Sequence, residues 1–580
     1  MSRLATRSDP RQYEPALASA GDHRKQVQYS RRWAALAVLC VSLLIVTLDN
    51  TVLNVVLPTL VRELHATTSQ LQWIIDAYVM VFAGLLLPAG SVADRLGRKR
   101  TFLAGLLAFA AGSTWAAFSG SVGMLIAARA SMGIGGALIM PSTLAIITNM
   151  FTDRGERQRA IGLWAGTTGA GVSLGPIIGG LLLAHFWWGS VFLINVPLAA
   201  LGFAFALPLV PNSRNAKTAR PDLAGAALSI TGLGLVLWAL IEAPVDGWSS
   251  GLVIASSLAG LAVLTGFGFW ERASQHPMLN LEFFRRRQFS AAIGSVGLMT
   301  FGLYGALFLL TQFLQFSLGY TPLQAGVRVL PAAGAIAVVA PLSAPMVRLI
   351  GTKFTAAAGM LIVAGGLWQV SGATLTTTYL GILPGMIMLG VGAGLVIPSA
   401  TASVMGSVPL EHTGVGSATN GAFMQVGGAL GVAVLGSLLS TRYQDHITAA
   451  LTPYHVPHVA LTAILGSLGG ALAVAARVGG LLGHELSNLA KASFASGMDL
   501  ALVTAAVVTC AGCLIMLLTL PSRPAPDRRI EVPPMRVPRQ RRQQRWLRDA
   551  APVTTKFQRC CSREPPNSIN WPRLLSVFCL

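Results

Sequence analysis

Ionisable side chains stand inside long apolar runs of this 580-residue chain, the sharpest cases being Asp49, Asp76 and Arg129. A charge at the middle of a membrane helix costs about 2.5–3.5 kcal/mol on insertion scales, so its retention calls for a partner or a task. A carboxyl group in apolar surroundings can take up and release a proton, because burial disfavours its charged form. An arginine keeps its charge and can only pair with or stabilise another group. Together these types support proton exchange coupled to the movement of a second species. The plainer readings are a structural acid hydrogen-bonded within a bundle for Asp49, a neutralising partner for Arg129, and a solvated charge near a mouth for Asp76.

The elements that must position them are membrane helices. The chain is 53% hydrophobic and 11% charged, whereas a soluble chain carries about 25% charged residues. Its mean hydropathy is +0.62. Apolar runs near 20 residues recur, and each is long enough to cross a bilayer. They lie near 33–57, 70–90, 101–120, 123–150, 160–184 and from 190 to about 211. Two more follow near 223–241 and 250–270, then 290–316, 323–346, 353–373, 379–405, 417–440 and 499–520. The expected fold is therefore an all-α polytopic membrane protein with 14 transmembrane helices.

The net charge of +20 sits in loops and tails. With both termini inside, about 36 of the 42 Lys and Arg fall on the cytoplasmic side and about 4 outside. Residues 1–32 read as a disordered cytoplasmic segment, too polar for a cleaved leader. Residues 459–483 are apolar enough to imitate a fifteenth span. Counting them would put the Arg-rich tail outside, so 441–497 is read as an external loop with helical character. The tail, 521–580, contains RQRRQQRWLR at 539–548, which suits an anionic lipid surface better than nucleic acid. The cysteines show no paired framework, and no metal site or cofactor is expected. No Walker A, zinc-protease or Gly-x-Ser-x-Gly pattern appears, so an enzyme is not expected.

An internal repeat divides the chain. GIGGALIMPST (133–143) matches GVGAGLVIPSA (390–400), and LGRK (96–99) loosely matches IGTK (350–353). Two related halves are a transporter pattern. The expected domains are a six-helix half over 33–211, a two-helix insert with its linkers over 212–288, and a second six-helix half over 289–520. In the second half Arg348 takes the position of Asp94.

The order Gly90, Asp94, Arg95, Gly97, Arg98 in GSVADRLGRKR resembles the signature loop of the major facilitator superfamily, in the correct place after two spans. The resemblance covers roughly residues 33–520. It implies a charge network that latches the outward-facing state, with Gly90 and Gly97 as packing points. LDNTVLNVVLP around Asp49 resembles the first-span motif of the 14-span drug:proton antiporters. ARASMGIGGALIMP resembles the fourth-span motif whose arginine, here Arg129, is linked to proton transfer; Met132 replaces its usual glutamine. Gly171, Gly175, Pro176, Gly179 and Gly180 match the antiporter signature of the fifth span.

By that resemblance Asp49 and Arg129 carry proton coupling. Asp76 is a substrate-cavity candidate, because some exporters of quaternary ammonium compounds carry an acid near this position. Gln312, Gln315, Arg328, Asn420 and Gln425 are further cavity candidates; Met424 replaces an arginine that relatives often have. The expected function is proton-coupled efflux of lipophilic, often cationic drugs across the cytoplasmic membrane by a monomer, with protons, a small-molecule substrate and lipid as partners and no nucleic acid. The alternatives are export of an endogenous metabolite, lipid or siderophore-like compound, and a non-transporting membrane scaffold or sensor.

Overall fold

The computed structural model describes residues 14–214, 221–275, 277–408, 413–453 and 456–519. The Arg-rich tail and the core of the 211–221 linker lie outside the described residues. All regular structure among the described residues is helical. In chain order it consists of α1 (Glu14–Leu64), α2 (Thr68–Leu96), α3 (Arg98–Ala117), α4 (Val122–Met150), α5 (Arg154–His185), α6 (Ser190–Leu193) and α7 (Asn195–Leu209). The middle pair is α8 (Leu223–Asp246) and α9 (Gly251–Ala273), followed by the short α10 (Leu281–Phe284). Then come α11 (Arg287–Gln312), a π-helical turn (Phe313–Ser317), α12 (Pro322–Ser371), α13 (Tyr379–Ser407), α14 (Thr413–Leu451), α15 (His458–Gly466), α16 (Leu468–Val478) and α17 (Gly480–Thr519).

Twelve of the described helices are long and apolar enough to cross a membrane. Two features bear on the expected fourteen. Helix α12 runs for 50 residues but breaks at Gly351, whose φ of 84° and ψ of 161° are non-helical. Helix α3 has 20 residues and packs between α4 and α7, yet its Ser, Thr and basic residues keep it out of the twelve. Helix α1 starts at Glu14, so part of the segment read as disordered is helical and runs straight into the first span. Its stretch from Arg31 to Leu64 is the membrane-competent part.

Helices α15 and α16 have 9 and 11 residues. At 1.5 Å per residue, the longer spans only about 17 Å, about half the hydrocarbon thickness. They cannot each cross. They pack on one end of the bundle, where Tyr443 donates to the Ile464 carbonyl at 2.9 Å and Thr68 to the Gly466 carbonyl at 3.2 Å.

The sequence repeat is visible as geometry. Gly97 in LGRK has φ 110° and Gly351 in IGTK has φ 84°, a region that glycine enters without a side-chain clash. Each makes the sharp turn between two adjacent helices. Gly133 of α4 lies on the backbone of α2, and Gly135 lies on α3. In the later copy Gly390 of α13 lies on the first segment of α12, and Gly392 on the second. One small-residue helix thus seats against two neighbours, twice over.

Helix α8 touches both copies. Trp73 of α2 donates to Glu242 at 3.1 Å, and Ser437 of α14 donates to the Leu240 carbonyl at 2.5 Å. The copies also meet directly, along α2 and α14 and along α5 and α12. A Cβ at Gly180 would stand 2.6 Å from Leu323 Cα, and Gly326 lies on the Pro176 carbonyl. Nearer the start of α5, Gly162, Gly166 and Gly169 lie on the same helical face, yet nothing stands within 4 Å of their Cβ positions. The two helices therefore touch at the end opposite the Gly97 turn and diverge toward it. Gly180→Ala pushes on backbone and is expected to lose about 1–3 kcal/mol of stability. Gly166→Ala fills open space and is expected to be neutral or slightly stabilising. Thermal unfolding of the two variants in detergent checks the contrast.

Candidate functional site

Asp49 sits midway along the membrane-competent stretch of α1, and Arg129 about two turns into α4. Their side chains are 1% and 0% exposed, and Arg129 Nη1 lies 2.5 Å from Asp49 Oδ2. Arg129 Nε also donates to the Ile74 carbonyl of α2 at 3.1 Å, and its guanidinium lies 4.4 Å from the Tyr78 ring centroid. Met132, in the place of the usual glutamine, contributes its sulfur 3.9 Å from Arg129 Nη1. The thioether is a weak acceptor, and Arg129 Nη2 is left without a partner among the described residues.

The other carboxylate oxygen is held by a residue that sequence reasoning missed. Asn195, the first residue of α7, donates from Nδ2 to Asp49 Oδ1 at 3.1 Å and to Ser113 Oγ of α3 at 3.1 Å. The available signal was a polar residue followed by a proline inside the apolar stretch FLINVPLAAL. Five helices, α1, α2, α3, α4 and α7, thus meet around one buried ion pair.

The glycine stripe of α5 explains how α1 is placed. Gly171 and Gly175 lie on Thr47 and Thr51, and Gly179 lies on Val52, so the stripe brackets Asp49 by one turn on each side. Thr51 donates to the Gly171 carbonyl at 3.2 Å, a bond that the close approach allows. Pro176 and Gly180 face α12 instead.

Asp76 does not join the pair. It is wholly buried, and neither of its oxygens has a partner among the described residues. It stands on α2 between Gln72, which donates to the Val432 and Ala433 carbonyls of α14 at 3.0 and 2.8 Å, and Met80, which lies against Gly234 of α8. The remaining cavity candidates are scattered. Gln315, in the π-helical turn, donates to the Val55 carbonyl of α1 at 2.9 Å, whereas Gln312 bonds to its own helix. Asn420 donates to Thr401 of α13 at 3.2 Å. Arg328 lies 3.8 Å from the Tyr320 ring centroid and 5.5 Å from that of Tyr379. Gln425 is partly buried on α14.

At the Gly97 turn, Asp94 pairs with Arg98 at 2.7 Å. Arg98 also donates to the Ala145 carbonyl of α4 at 3.0 Å, while Arg95 is exposed. Gly90 approaches Pro141, and Gly97 approaches Asn212. These contacts stay within the first seven helices and the chain just after them.

Residues 39–432 match the model of the Major Facilitator Superfamily. The chain belongs to the Major Facilitator Superfamily. Among curated relatives, it is 34% identical over 492 residues to the multidrug efflux pump LfrA of Mycolicibacterium smegmatis, covering 84% of this chain and 96% of that protein. It is 32% identical over 505 residues to the tetracenomycin C resistance and export protein of Streptomyces glaucescens, covering 85% and 93%. The methyl viologen resistance protein SmvA of Salmonella typhimurium is 30% identical over 490 residues, covering 84% and 97%. Among solved structures, a bacterial homologue of the lysosomal transporter Spinster, inward-facing and unoccupied, superposes with a TM-score of 0.61 at 17% identity. That match covers 86% of this chain and 99% of the other, and it shows the shared facilitator fold.

A buried ion pair is strongly destabilised when one partner is removed, because the survivor is left as an uncompensated charge. Arg129→Ala is expected to lose about 3–5 kcal/mol, most of it recovered in the double variant Asp49→Asn/Arg129→Gln. Asp76→Leu removes an unpartnered polar group and is expected to gain about 1–3 kcal/mol. Thermal melts of the purified variants read all three.

Proposed function

We propose that this facilitator is a drug exporter driven by proton exchange at Asp49, working by alternating access. The observation that carries this reading is the Asp49–Arg129 pair, sealed from solvent at the meeting point of five helices, in a chain whose relatives are named efflux and resistance proteins. Protonation of Asp49 removes the charge that holds Arg129. The freed guanidinium then needs a new arrangement of partners, and the helices carrying α1 and α4 supply it by shifting. A change of one proton is thereby converted into a change of packing.

The seam between the two repeats is where that shift would be felt. Contact between α5 and α12 at one end, and divergence toward the other, supports a cavity open on the side of the Gly97 turn. By the distribution of Lys and Arg we read that side as cytoplasmic, with both termini inside, and we place the protein in the cytoplasmic membrane. In this reading α3 and the two segments of α12 are counted as crossings, which makes fourteen: a six-helix half over 33–211, the pair α8 and α9 as an insert, and a second six-helix half over 289–520. A monomer contains every part named. Asp76, Gln312, Gln315, Arg328, Asn420 and Gln425 are assigned to the substrate path or its walls. Gly90, Asp94, Arg95, Gly97 and Arg98 are assigned to the latch that would re-form against the other half when the opening reverses.

The substrates in this reading are lipophilic cations, which an acid within an apolar bundle attracts. Reconstituted in proteoliposomes under a pH gradient, the protein is expected to export ethidium and to move protons in the opposite sense. Asp49→Asn is expected to insert and to bind ethidium but to lose gradient-driven efflux. Undiminished efflux by that variant removes Asp49 from the coupling step.

A further inference from the structure

The 190–209 span passes from α6 to α7 at Ile194, whose φ of −58° and ψ of −27° stay near helical. Pro197 has no N–H to give to the Leu193 carbonyl four residues back, so the helix is weakened there. Asn195 stands at this junction and is fully buried. Its Nδ2 donates to Asp49 Oδ1 and to Ser113 Oγ, each at 3.1 Å. Its own Oδ1 is buried without a partner among the described residues. The amide therefore uses one arm fully and leaves the other idle.

A carboxylate can only accept a hydrogen bond, whereas a carboxylic acid has one to donate. A side-chain amide carries two donors on one arm and an acceptor with two lone pairs on the other. The arms have nearly the same size, so a half turn about the terminal bond exchanges them without moving a helix. We infer that Asn195 is a positioning residue that serves Asp49 in both protonation states, donating to the carboxylate and, after a half turn, accepting from the acid. This role deepens the proton-exchange reading above and rests on it.

The proton balances through the step, while the two N–H donors of Nδ2 turn into the place where Oδ1 now stands without a partner among the described residues. One proton arrives from water and forms the O–H bond at Asp49 Oδ1. That O–H donates to Asn195 Oδ1, and no covalent bond breaks in the protein. Ser113, which now accepts from the amide and points its own proton at Met132 Sδ, 3.8 Å away, turns to donate to the second lone pair of the same oxygen. Arg129 retains the Ile74 carbonyl and the Tyr78 ring. The charged and titratable groups facing Asp49 are Arg129 from α4 and Tyr78 from α2; among the described residues α3 and α7 present only the neutral Ser113 and Asn195. Asp76 stands about 200° around α2 from Tyr78 and faces away.

The test uses the full chain reconstituted with ethidium as probe, and the variants Asn195→Leu, which fills the space without polar atoms, and Asn195→Gln, which keeps the amide. Hydrogen bonds to an ionised group are stronger than those to its neutral form. In Asn195→Leu the pH of half-maximal ethidium-dependent proton release is therefore expected to move upward by about one unit. Asn195→Gln is expected to bring it part of the way back. In infrared difference spectra, the carboxylic acid C=O band that disappears in Asp49→Asn is expected at higher frequency in Asn195→Leu, because its O–H has lost an acceptor. An unchanged midpoint and an unchanged band, with only a lower rate or yield, overturn the inference and leave Asn195 as packing. Should Asn195→Leu fail to insert, Asn195→Ser, which is too short to reach Asp49, carries the same two readouts. A wild-type protein that moves no protons with ethidium defeats the efflux reading; the infrared comparison still decides the role of Asn195.

Discussion

An arginine and an aspartate that cannot reach water must reach each other, and the first seven helices are arranged so that they do. Arg129 and Asp49 come from helices that are not neighbours in sequence. Each is further restrained by a group from a third helix: the Ile74 carbonyl and Tyr78 ring from α2 for the arginine, and Asn195 from α7 for the carboxylate. In a medium where an unsatisfied polar group costs several kcal/mol, such a cluster specifies helix depth and rotation more sharply than apolar contact can. Leucine against leucine is nearly indifferent to a small slide, whereas a buried ion pair is not.

Glycine supplies the complementary tolerance. Along α5, one face of small residues lets α1 come close enough for Thr51 to bond to the Gly171 carbonyl. The adjoining face meets α12 at Pro176 and Gly180, among other residues. A contact made of backbone against backbone is tight at one point and has no long side chains to disentangle as the helices separate. The helix that packs against the Asp49 stretch of α1 is therefore also one that touches the second repeat. Helix α8 adds a second tie across the repeats, through Glu242 to α2 and the Leu240 carbonyl to α14.

Much of the architecture was legible in the residues, because the bilayer admits few solutions. Long apolar runs must be helices, their ends must alternate sides, and the Gly97 and Gly351 turns mark two copies of one unit. The motifs around Asp49, Arg129 and Gly171–Gly180 pointed to the family and to residues that do lie together. Legibility failed where polarity was mild or spacing uninformative. Asn195 carries no charge and stands in an apolar stretch, so nothing in one dimension marked it as the partner of a residue 146 positions away. The ambiguous 459–483 segment had the composition of a span, but chain breaks at Ser467 and Gly479 cut it into helices too short to cross.

By itself the sequence determined that the chain is a bundle of membrane helices built from two related parts, and which few charges had to be accounted for inside it. Those conclusions follow from local cost, since each apolar run and each buried charge has its consequence wherever the neighbours lie. Only the tertiary structure decided which charge answers which. It paired Asp49 with Arg129, added Asn195, and left Asp76 without a partner among the described residues, between Gln72 and Met80 on a face shared with α8 and α14. Pairing depends on how helices rotate and approach, and that is set by the small residues of many helices acting at once.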